Sequence, residues 1–396
     1  MEVQIPNFLS FAPSLIDQNL WERVGDVDIV GDVGLGAPHG EVADVNLLAL
    51  VREFIGHVSM PTLMGQSFLE NFPNTLQDLW MFDRGIKYLA LGFPRWLPAR
   101  AATQAHLARA RLLYSIRSFH RALNQANAET PSKMEWGDMD DVSELMERRA
   151  AIWREGTVTP DAAAAADLSL LWAMTVNANT LCFWLILRIL STPGLLDQVR
   201  EESSAYVTVS PPESIRGVTE LARLKLADEG LVHDCPLFRA CYLETLRLHS
   251  GPWSVRKVAR DWELGRGPAG DDGPPQSFVL SAGSFVEIPH GVHHADPRYF
   301  DRPETFDPAR FLVPRGTGDG KSRVEIGSFR PYGGGASTCK GRVFAERACL
   351  AYVAGLLALW EFRPVQRGGW VLPSARPATA VSIPTRDVRV RVSRRV

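Results

Sequence analysis

The segment FRPYGGGASTCKGRVFA, residues 329–345, combines three consecutive glycines with a single cysteine, Cys339. Glycine has no Cβ, so residues 333–335 let the backbone turn tightly and lie against a flat partner. An apolar helical pattern follows, and a cysteine at a helix N-terminus lies in a field that favours the metal-binding thiolate. Paired Cys-x-x-Cys zinc ligands are excluded locally because only one cysteine is present. A single thiolate on a glycine-lined surface suits an axial haem ligand, since the porphyrin supplies the other four donors. The alternative is a glycine-rich turn with an inert, buried cysteine.

The segment resembles the haem-ligand loop of the cytochromes P-450, in which a cysteine thiolate binds iron and pushes electron density towards O–O cleavage. The resemblance is carried by an aromatic residue, two glycines, the cysteine and an alanine at the family's spacing: Tyr332, Gly335, Cys339, Gly341 and Ala345. It implies that these residues bind the cofactor and that Cys339 is the metal ligand. Two positions depart from the family: Ser337 stands where many members carry a propionate-binding basic residue, and Lys340 replaces a frequent proline.

The composition is that of an ordinary globular protein, since 45% of the 396 residues are hydrophobic and 22% are charged. The net charge of −2 gives no electrostatic case for nucleic-acid binding. Five cysteines, an odd number without a pattern, indicate a reducing compartment. The N-terminus lacks the basic-then-apolar run of a signal peptide or membrane anchor.

Residues 168–187 contain no charged side chain and are long enough to form a transmembrane helix. Four polar residues lie at mid-span, however: Thr175, Asn177, Asn179 and Thr180. Polar groups in such a helix usually face a cavity or a site rather than lipid. A long buried helix that crosses a large domain is therefore the favoured interpretation.

By the resemblance, this helix passes over the distal face of the haem, where an acid–alcohol pair typically delivers protons to bound oxygen. The sequence Asn-Ala-Asn-Thr at residues 177–180 contains no acid. Trp172 and the pair Phe183-Trp184 resemble a branch that contains prostacyclin synthase, the sterol 7-alpha-hydroxylases and fungal relatives. That branch often uses Asn followed by Ser or Thr.

Two registers of this motif stay open. Alignment on the aromatic pair places residues 177–178, Asn-Ala, at the proton-delivery positions, whereas alignment on the motif itself places residues 179–180, Asn-Thr, there. The candidate catalytic residues are therefore Asn177, Asn179 and Thr180.

Residues 236–249 predict a compact helix that holds Glu244 and Arg247 on one face. The alternative is a surface ion pair, which would contribute almost nothing to the stability of the fold. Apolar residues surround the pair on several sides, so we expect it to be buried, and a buried pair needs further partners. The resemblance supplies Arg310, from the sequence PARF at residues 308–311, and implies that the three side chains form the network that holds the haem-ligand loop.

Short β-type runs are predicted at residues 254–259, 277–281 and 284–289. By the resemblance, Arg256 lies close to a propionate-binding arginine of the family; the alternative is a strand-edge charge in solvent. We expect substrate over residues 177–180 and beside Trp253 and Ser254. His293 and His294 could be read as a metal-binding pair, but by the resemblance the sequence HADP at residues 294–297 matches a structural turn of the family instead.

The predicted fold is mainly α with small β-sheets, the cytochrome P-450 fold, in a single haem-thiolate domain over residues 1–396. Helical patterns are predicted at residues 42–60, 100–127, 195–207 and 212–227, the first of them ended by Pro61. The match begins at about Ser10, so the family's N-terminal anchor, first strands and early helices have no counterpart. We therefore expect an N-terminally truncated chain, either as a shortened variant or through the gene model.

The leading hypothesis is a haem-thiolate monooxygenase that hydroxylates or epoxidises a small apolar substrate such as a lipid, a terpenoid or a secondary metabolite. The implied cofactors and partners are haem and an NADPH-cytochrome reductase. A full-length relative would lie at the cytosolic face of the endoplasmic reticulum through its anchor, and this chain as given in the cytoplasm. The alternatives are a haem-thiolate isomerase or dehydratase that needs no electron donor, and a non-catalytic truncated remnant.

Overall fold

The computed structural model describes residues 5–31, 41–127, 136, 139–210, 214–215, 218–219, 222–265, 277–316, 322–378 and 380–395. The α-helices of this part of the chain are α1 (Leu20–Val24), α2 (Leu47–Ser59), α3 (Pro61–Met64), α4 (Gln66–Asn71), α5 (Thr75–Ala90), α6 (Arg100–Ala126), α7 (Glu144–Glu155), α8 (Pro160–Ser191), α9 (Leu195–Ser203), α10 (Asp228–His233), α11 (Pro236–His249), α12 (His290–His294) and α13 (Arg342–Leu359).

The strands are short: β1 (Asp28–Ile29), β2 (Val42–Asn46), β3 (Val207–Ser210), β4 (Ser214–Ile215), β5 (Val218–Thr219), β6 (Arg223–Leu226), β7 (Trp253–Lys257), β8 (Trp262–Gly265), β9 (Ser277–Leu280), β10 (Phe285–Pro289), β11 (Leu312–Pro314), β12 (Ser322–Val324), β13 (Trp360–Pro364), β14 (Ala375–Arg376), β15 (Ile383–Pro384) and β16 (Arg389–Arg394). The predicted class, mainly α with small β-sheets, is confirmed.

The long helix α8 lies at the centre of the fold and packs against α2, α6, α11 and α13. It begins where the Thr159 hydroxyl accepts a hydrogen bond from the Ala162 amide and Pro160 occupies the first turn. Two helical stretches, Leu47–Met64 and Pro160–Ser191, are long and apolar enough to cross a membrane. In the second, 72% of the most apolar window is buried inside the protein, which favours the core helix expected from its mid-span polar residues.

The core has two parts that meet along α8. The C-terminal half of α8 packs with α11, α13 and the chain ends, and its Phe183 and Trp184 are fully buried there. Its N-terminal half packs with α5 and α6, where Phe119 and Leu168 are buried. Because each half of α8 is covered by different helices, this one helix ties both parts of the core together.

A four-stranded antiparallel sheet in the order β1-β2-β16-β13 joins the two ends of the described chain. In its register Val390 lies opposite Val45, and Val392 lies opposite Ala43; all four side chains are fully buried. The remaining strands form two-stranded pairs, among them β7 with β10 and β14 with β15.

Three predicted helices differ from the structure. The helix predicted at residues 195–207 ends as α9 at Ser203, and Val207 already begins β3. Residues 42–46 form strand β2 because they pair with β16 at the far end of the chain, a contact that local periodicity does not report. The predicted end of this helix at Pro61 is confirmed, since α2 ends at Ser59 and Pro61 occupies the first turn of the next helix, α3, where a proline loses no helical hydrogen bond. The helix predicted at residues 212–227 is replaced, where described, by β4, β5 and β6, in which Leu224 and Leu226 alternate with exposed residues. The helix predicted at residues 100–127 is confirmed as α6.

Candidate functional site

Cys339 lies at the end of a turn that is closed by its own backbone. The Cys339 amide donates to the Tyr332 carbonyl at 3.0 Å, and the Thr338 amide donates to the Gly335 carbonyl at 3.1 Å. Gly333 and Gly335 have φ values of 73° and 66°, a region that side chains with a Cβ rarely adopt. The sequence therefore uses glycines where the turn demands a left-handed backbone.

The turn is held to the helix that follows it. The ammonium of Lys340 donates to the Ala336 carbonyl at 3.0 Å, and the Ala345 amide donates to the Gly341 carbonyl at 2.9 Å, which opens α13. Lys340 thus has a structural role in this chain at the position of the family's frequent proline.

Cys339 is exposed, whereas the other four cysteines of the chain are buried. A Cβ added at Gly334 or Gly335 would meet no atom within 4 Å, so the space beside these two glycines of the turn is open. Within the described residues, no group of three or more His, Cys, Asp or Glu side chains is placed to hold a metal ion. This donor set fits a metal that brings most of its own donors, as haem iron does, and Cys339 would hold it through its thiolate.

Tyr332 fastens the turn to the protein interior. Its hydroxyl group is hydrogen-bonded to the hydroxyl of Tyr242, a fully buried residue of α11. Burial raises the pKa of both phenols, so both stay protonated. Tyr332 is therefore connected to α11 through its side chain and to Cys339 through its backbone carbonyl.

Glu244, Arg247 and Arg310 lie together. The Arg247 guanidinium donates to both Glu244 carboxylate oxygens, at 2.7 and 2.8 Å, and the Arg310 Nε donates to Oε1 at 2.9 Å. The Glu244 and Arg247 side chains are 0% and 1% exposed. Arg247 also donates to the His294 carbonyl at 2.8 Å and to the Thr305 carbonyl at 3.2 Å. The buried pair thus has the further partners that such a pair needs.

The three polar candidates on α8 do not share one face. Asn177 is half-buried, and its Oδ1 accepts from the Val381 amide at 3.5 Å. Asn179 is buried and donates to the Arg52 carbonyl of α2 at 3.1 Å, and Thr180 donates to the carbonyl of Val176 in its own helix. The face of α8 that remains open instead contains, besides Asn177, residues at three- and four-residue spacing: Ala166, Ser169, Leu170, Ala173 and Met174. Of the three candidates, only Asn177 lies on that open face.

Strand β7 runs beside the Cys339 turn. A Cβ at Gly333 would lie 3.4 Å from the Ser254 hydroxyl, which is hydrogen-bonded to His290 Nε2 at 2.8 Å. Arg256 follows on the same side of the strand, is exposed, and donates to the Val255 carbonyl at 2.8 Å. Its guanidinium is therefore available for an anion beside the turn.

Sequence reasoning missed Tyr242, His290 and the exposed Ala173. Tyr242 and His290 are joined to the site by side-chain hydrogen bonds across the fold, which carry no local sequence signal. Ala173 is exposed in the middle of an apolar helix. Its exposure depends on which elements pack against α8, and the local sequence does not report this.

Comparisons with known proteins agree on one family. The family model described as "Cytochrome P450" matches residues 39–390. The chain is 28% identical to "Cytochrome P450 monooxygenase poxD" of Penicillium oxalicum, over 91% of this chain and 66% of that protein. It is 24% identical to "Cytochrome P450 7A1" of Rattus norvegicus, over 74% of this chain and 53% of that protein.

A solved zebra fish cytochrome P450 structure matches with a TM-score of 0.60 at 19% identity, covering 89% of this chain and 72% of that one, and supports the fold. The chain spans two thirds or less of the length of the curated relatives that it matches.

Proposed function

Because the chain belongs to the cytochrome P450 family, we propose that it is a haem-dependent monooxygenase in which Cys339 ligates the iron. The observation that carries the proposal is the exposed Cys339 on a glycine turn whose two ends are fixed by backbone hydrogen bonds. Haem, when bound, would supply the oxygen chemistry. The proposed partner is an NADPH-dependent reductase, which would supply the electrons. The location at the cytosolic face of the endoplasmic reticulum stays a prediction.

The chain's own residues have separable roles. Cys339 supplies the thiolate, and the Tyr332 carbonyl fixes the Cys339 amide. Arg256 is the proposed donor to a propionate, because its guanidinium has only a neighbouring carbonyl as a protein acceptor among the described residues. Asn177 is the proposed group that orients a water or a proton on the open face of α8, since its amide both donates and accepts.

The proposed substrate is small and apolar. The open surface near β7 contains large exposed apolar side chains, with Trp253 exposed at 64% and Val255 at 46%. Apolar walls with a few polar groups are typical of small-molecule sites. The names of the fungal relatives add only that they are monooxygenases.

The proposal is tested by the spectrum of the reduced protein under carbon monoxide. We expect the red-shifted Soret band of a thiolate complex, and we expect Cys339→Ala to lose it. Cys235→Ala is the matched control because Cys235 is fully buried. A Cys339→Ala protein that retains the same band would show that another residue ligates the iron.

A second candidate function is a haem-thiolate isomerase or dehydratase that needs no electron donor. Two observations favour it. Of the three candidate residues on α8, Asn177 is the one on the open face, and residues 168–187 contain no acidic side chain. Stoichiometric use of NADPH and O₂ with a reductase supports the monooxygenase, whereas turnover without them supports the isomerase. The absence of any haem band would instead support the non-catalytic remnant.

A further inference from the structure

Three arginines from different parts of the chain line one cavity of about 200 Å³ on the side of α8 that faces α2 and α5. Besides the arginines, its wall includes Trp80, Asp83 and Thr180. Arg52 comes from α2, Arg84 from α5, and Arg376 from β14. It is separate from the Cys339 turn, none of whose residues contributes to its wall.

The arginines lack protein acceptors. The Arg52 Nε is buried without a hydrogen-bond partner, and the Arg52 guanidinium carbon lies 4.4 Å from the centre of the Trp80 ring. Within the described part of the chain, none of the Arg52, Arg84 and Arg376 side chains donates a hydrogen bond or forms an ion pair within 4 Å. Burial lowers the pKa of Arg52, and the nearby Arg84 lowers it further. A buried guanidinium nitrogen without an acceptor is costly, so the Arg52 Nε calls for a ligand that accepts hydrogen bonds.

The carboxyl groups around Arg52 are already engaged. Asp83 Oδ1 accepts from the Trp172 indole at 3.0 Å, and Glu53 accepts from the Trp80 indole at 2.6 Å. Asp387 accepts from the backbone amides of residues 48, 49 and 388, at 2.7, 2.9 and 2.7 Å. These carboxyl groups offset part of the positive charge of the arginines from a longer distance. Among the described residues of the cavity wall, three are arginines and one, Asp83, is acidic.

We propose that this cavity is a carboxylate-binding subsite, with Arg52 as the buried donor and with Arg84 and Arg376 at its rim. A carboxylate is planar and matches the guanidinium fork with two parallel hydrogen bonds. The subsite goes beyond the haem chemistry proposed above and does not depend on Cys339.

The first experiment measures the melting temperature of the haem-loaded full chain in sodium acetate and in sodium chloride at equal ionic strength. Acetate should raise the melting temperature with saturation, because a ligand of the native state stabilises it by mass action. Arg84→Gln and Arg376→Gln should each weaken acetate binding about tenfold, as expected for one charge-assisted contact. Both side chains are exposed, so neither change should prevent folding.

The matched control is Arg323→Gln, because Arg323 is also exposed and lies on β12, outside the cavity wall. It should bind acetate as the unaltered protein does. The inference is overturned if acetate stabilises no more than chloride does, if sulfate stabilises as well as acetate, or if both cavity variants bind acetate unchanged.

The second experiment distinguishes a free small carboxylate from the acid group of a larger substrate, and this arm rests on the proposed function. Decanoate and decan-1-ol are titrated against the Soret band. A decanoate-specific shift that Arg84→Gln weakens assigns the subsite to a substrate acid; acetate stabilisation without that shift assigns it to a free carboxylate. Loss of the carbon monoxide band would defeat the proposed function while leaving the acetate measurement intact.

Discussion

The hydroxyl groups of Tyr242 and Tyr332 are hydrogen-bonded to each other, and the backbone carbonyl of Tyr332 accepts from the Cys339 amide. One side chain of α11 is thereby coupled to the position of the candidate iron ligand. Tyr242 is fully buried and Tyr332 is half-buried, so the Tyr242 hydroxyl has no solvent partner to replace Tyr332.

Removal of either hydroxyl group should therefore leave the other without its hydrogen-bond partner. Tyr242→Phe and Tyr332→Phe should each lower the free energy of unfolding by about 1–3 kcal/mol, the cost of a buried unpaired polar group. The double variant should cost less than the sum, because no unpaired hydroxyl remains. Urea unfolding and the rate of haem loss measure this, with the exposed Tyr114→Phe as control. Strict additivity of the two single changes would contradict the coupling.

Removal of the Glu244 charge should destabilise the fold severely. Glu244→Gln leaves Arg247 and Arg310 without their shared anion, and the loss should be roughly 3–5 kcal/mol. Arg247→Ala should cost a similar amount. Denaturant unfolding and soluble yield report the effect. Glu325→Gln, which breaks an exposed pair with Arg323, should change stability by under about 1 kcal/mol. Equal melting points for Glu244→Gln and Glu325→Gln would refute the burial argument.

The two asparagines of α8 should respond differently to alanine. Asn177→Ala should change the product pattern or the ratio of product to NADPH consumed, since Asn177 lies on the open face. Asn179→Ala should mainly lower stability, by about 1 kcal/mol, because it loses a hydrogen bond to the Arg52 carbonyl. Product analysis and thermal melting separate the two effects. Altered coupling in Asn179→Ala with normal coupling in Asn177→Ala would reverse the assignment.

Acid should destabilise the protein through His294. Burial lowers the pKa of His294 to about 4 in the folded chain, below the unfolded value of about 6.5. The unfolded state therefore binds the proton first, and stability falls as the pH drops from about 6.5 to about 4. The contribution approaches about 3 kcal/mol, since each pKa unit is worth about 1.4 kcal/mol.

The free energy of unfolding between pH 7.5 and pH 4.5 measures this dependence. His294→Gln cannot titrate, so its curve should be flatter than that of the unaltered protein. His233→Gln removes an exposed histidine of α10 and is the control. Parallel curves for His294→Gln and the unaltered protein would exclude His294 as the source.

The sequence was most informative where the chemistry is local. Glycines with a left-handed backbone, a lone cysteine before a helix, and a long uncharged run with mid-span amides all have short-range signatures. The helix α6 followed from periodicity, and α8 followed from its uncharged run. Arg310 was placed beside Glu244 by family resemblance rather than by periodicity, because 66 residues separate the two.

The parts that local reasoning missed are set by distant partners. Residues 42–46 form a strand because β16 lies beside them. Helix geometry alone places Asn177 and Asn179 on different faces, but it is the packing of α2, 127 residues away, that covers the Asn179 face. The arginine cavity collects side chains from three elements and has no sequence signature at all.

The pairing of β2 with β16 also constrains the order of events during synthesis. Asp44 accepts from Arg391 across 347 residues of chain, so β2 leaves the ribosome long before its partner strand exists. One edge of β2 therefore stays unpaired until β16 has been synthesised, and contacts of such high sequence separation form slowly. We expect the sheet to close after α8 has packed.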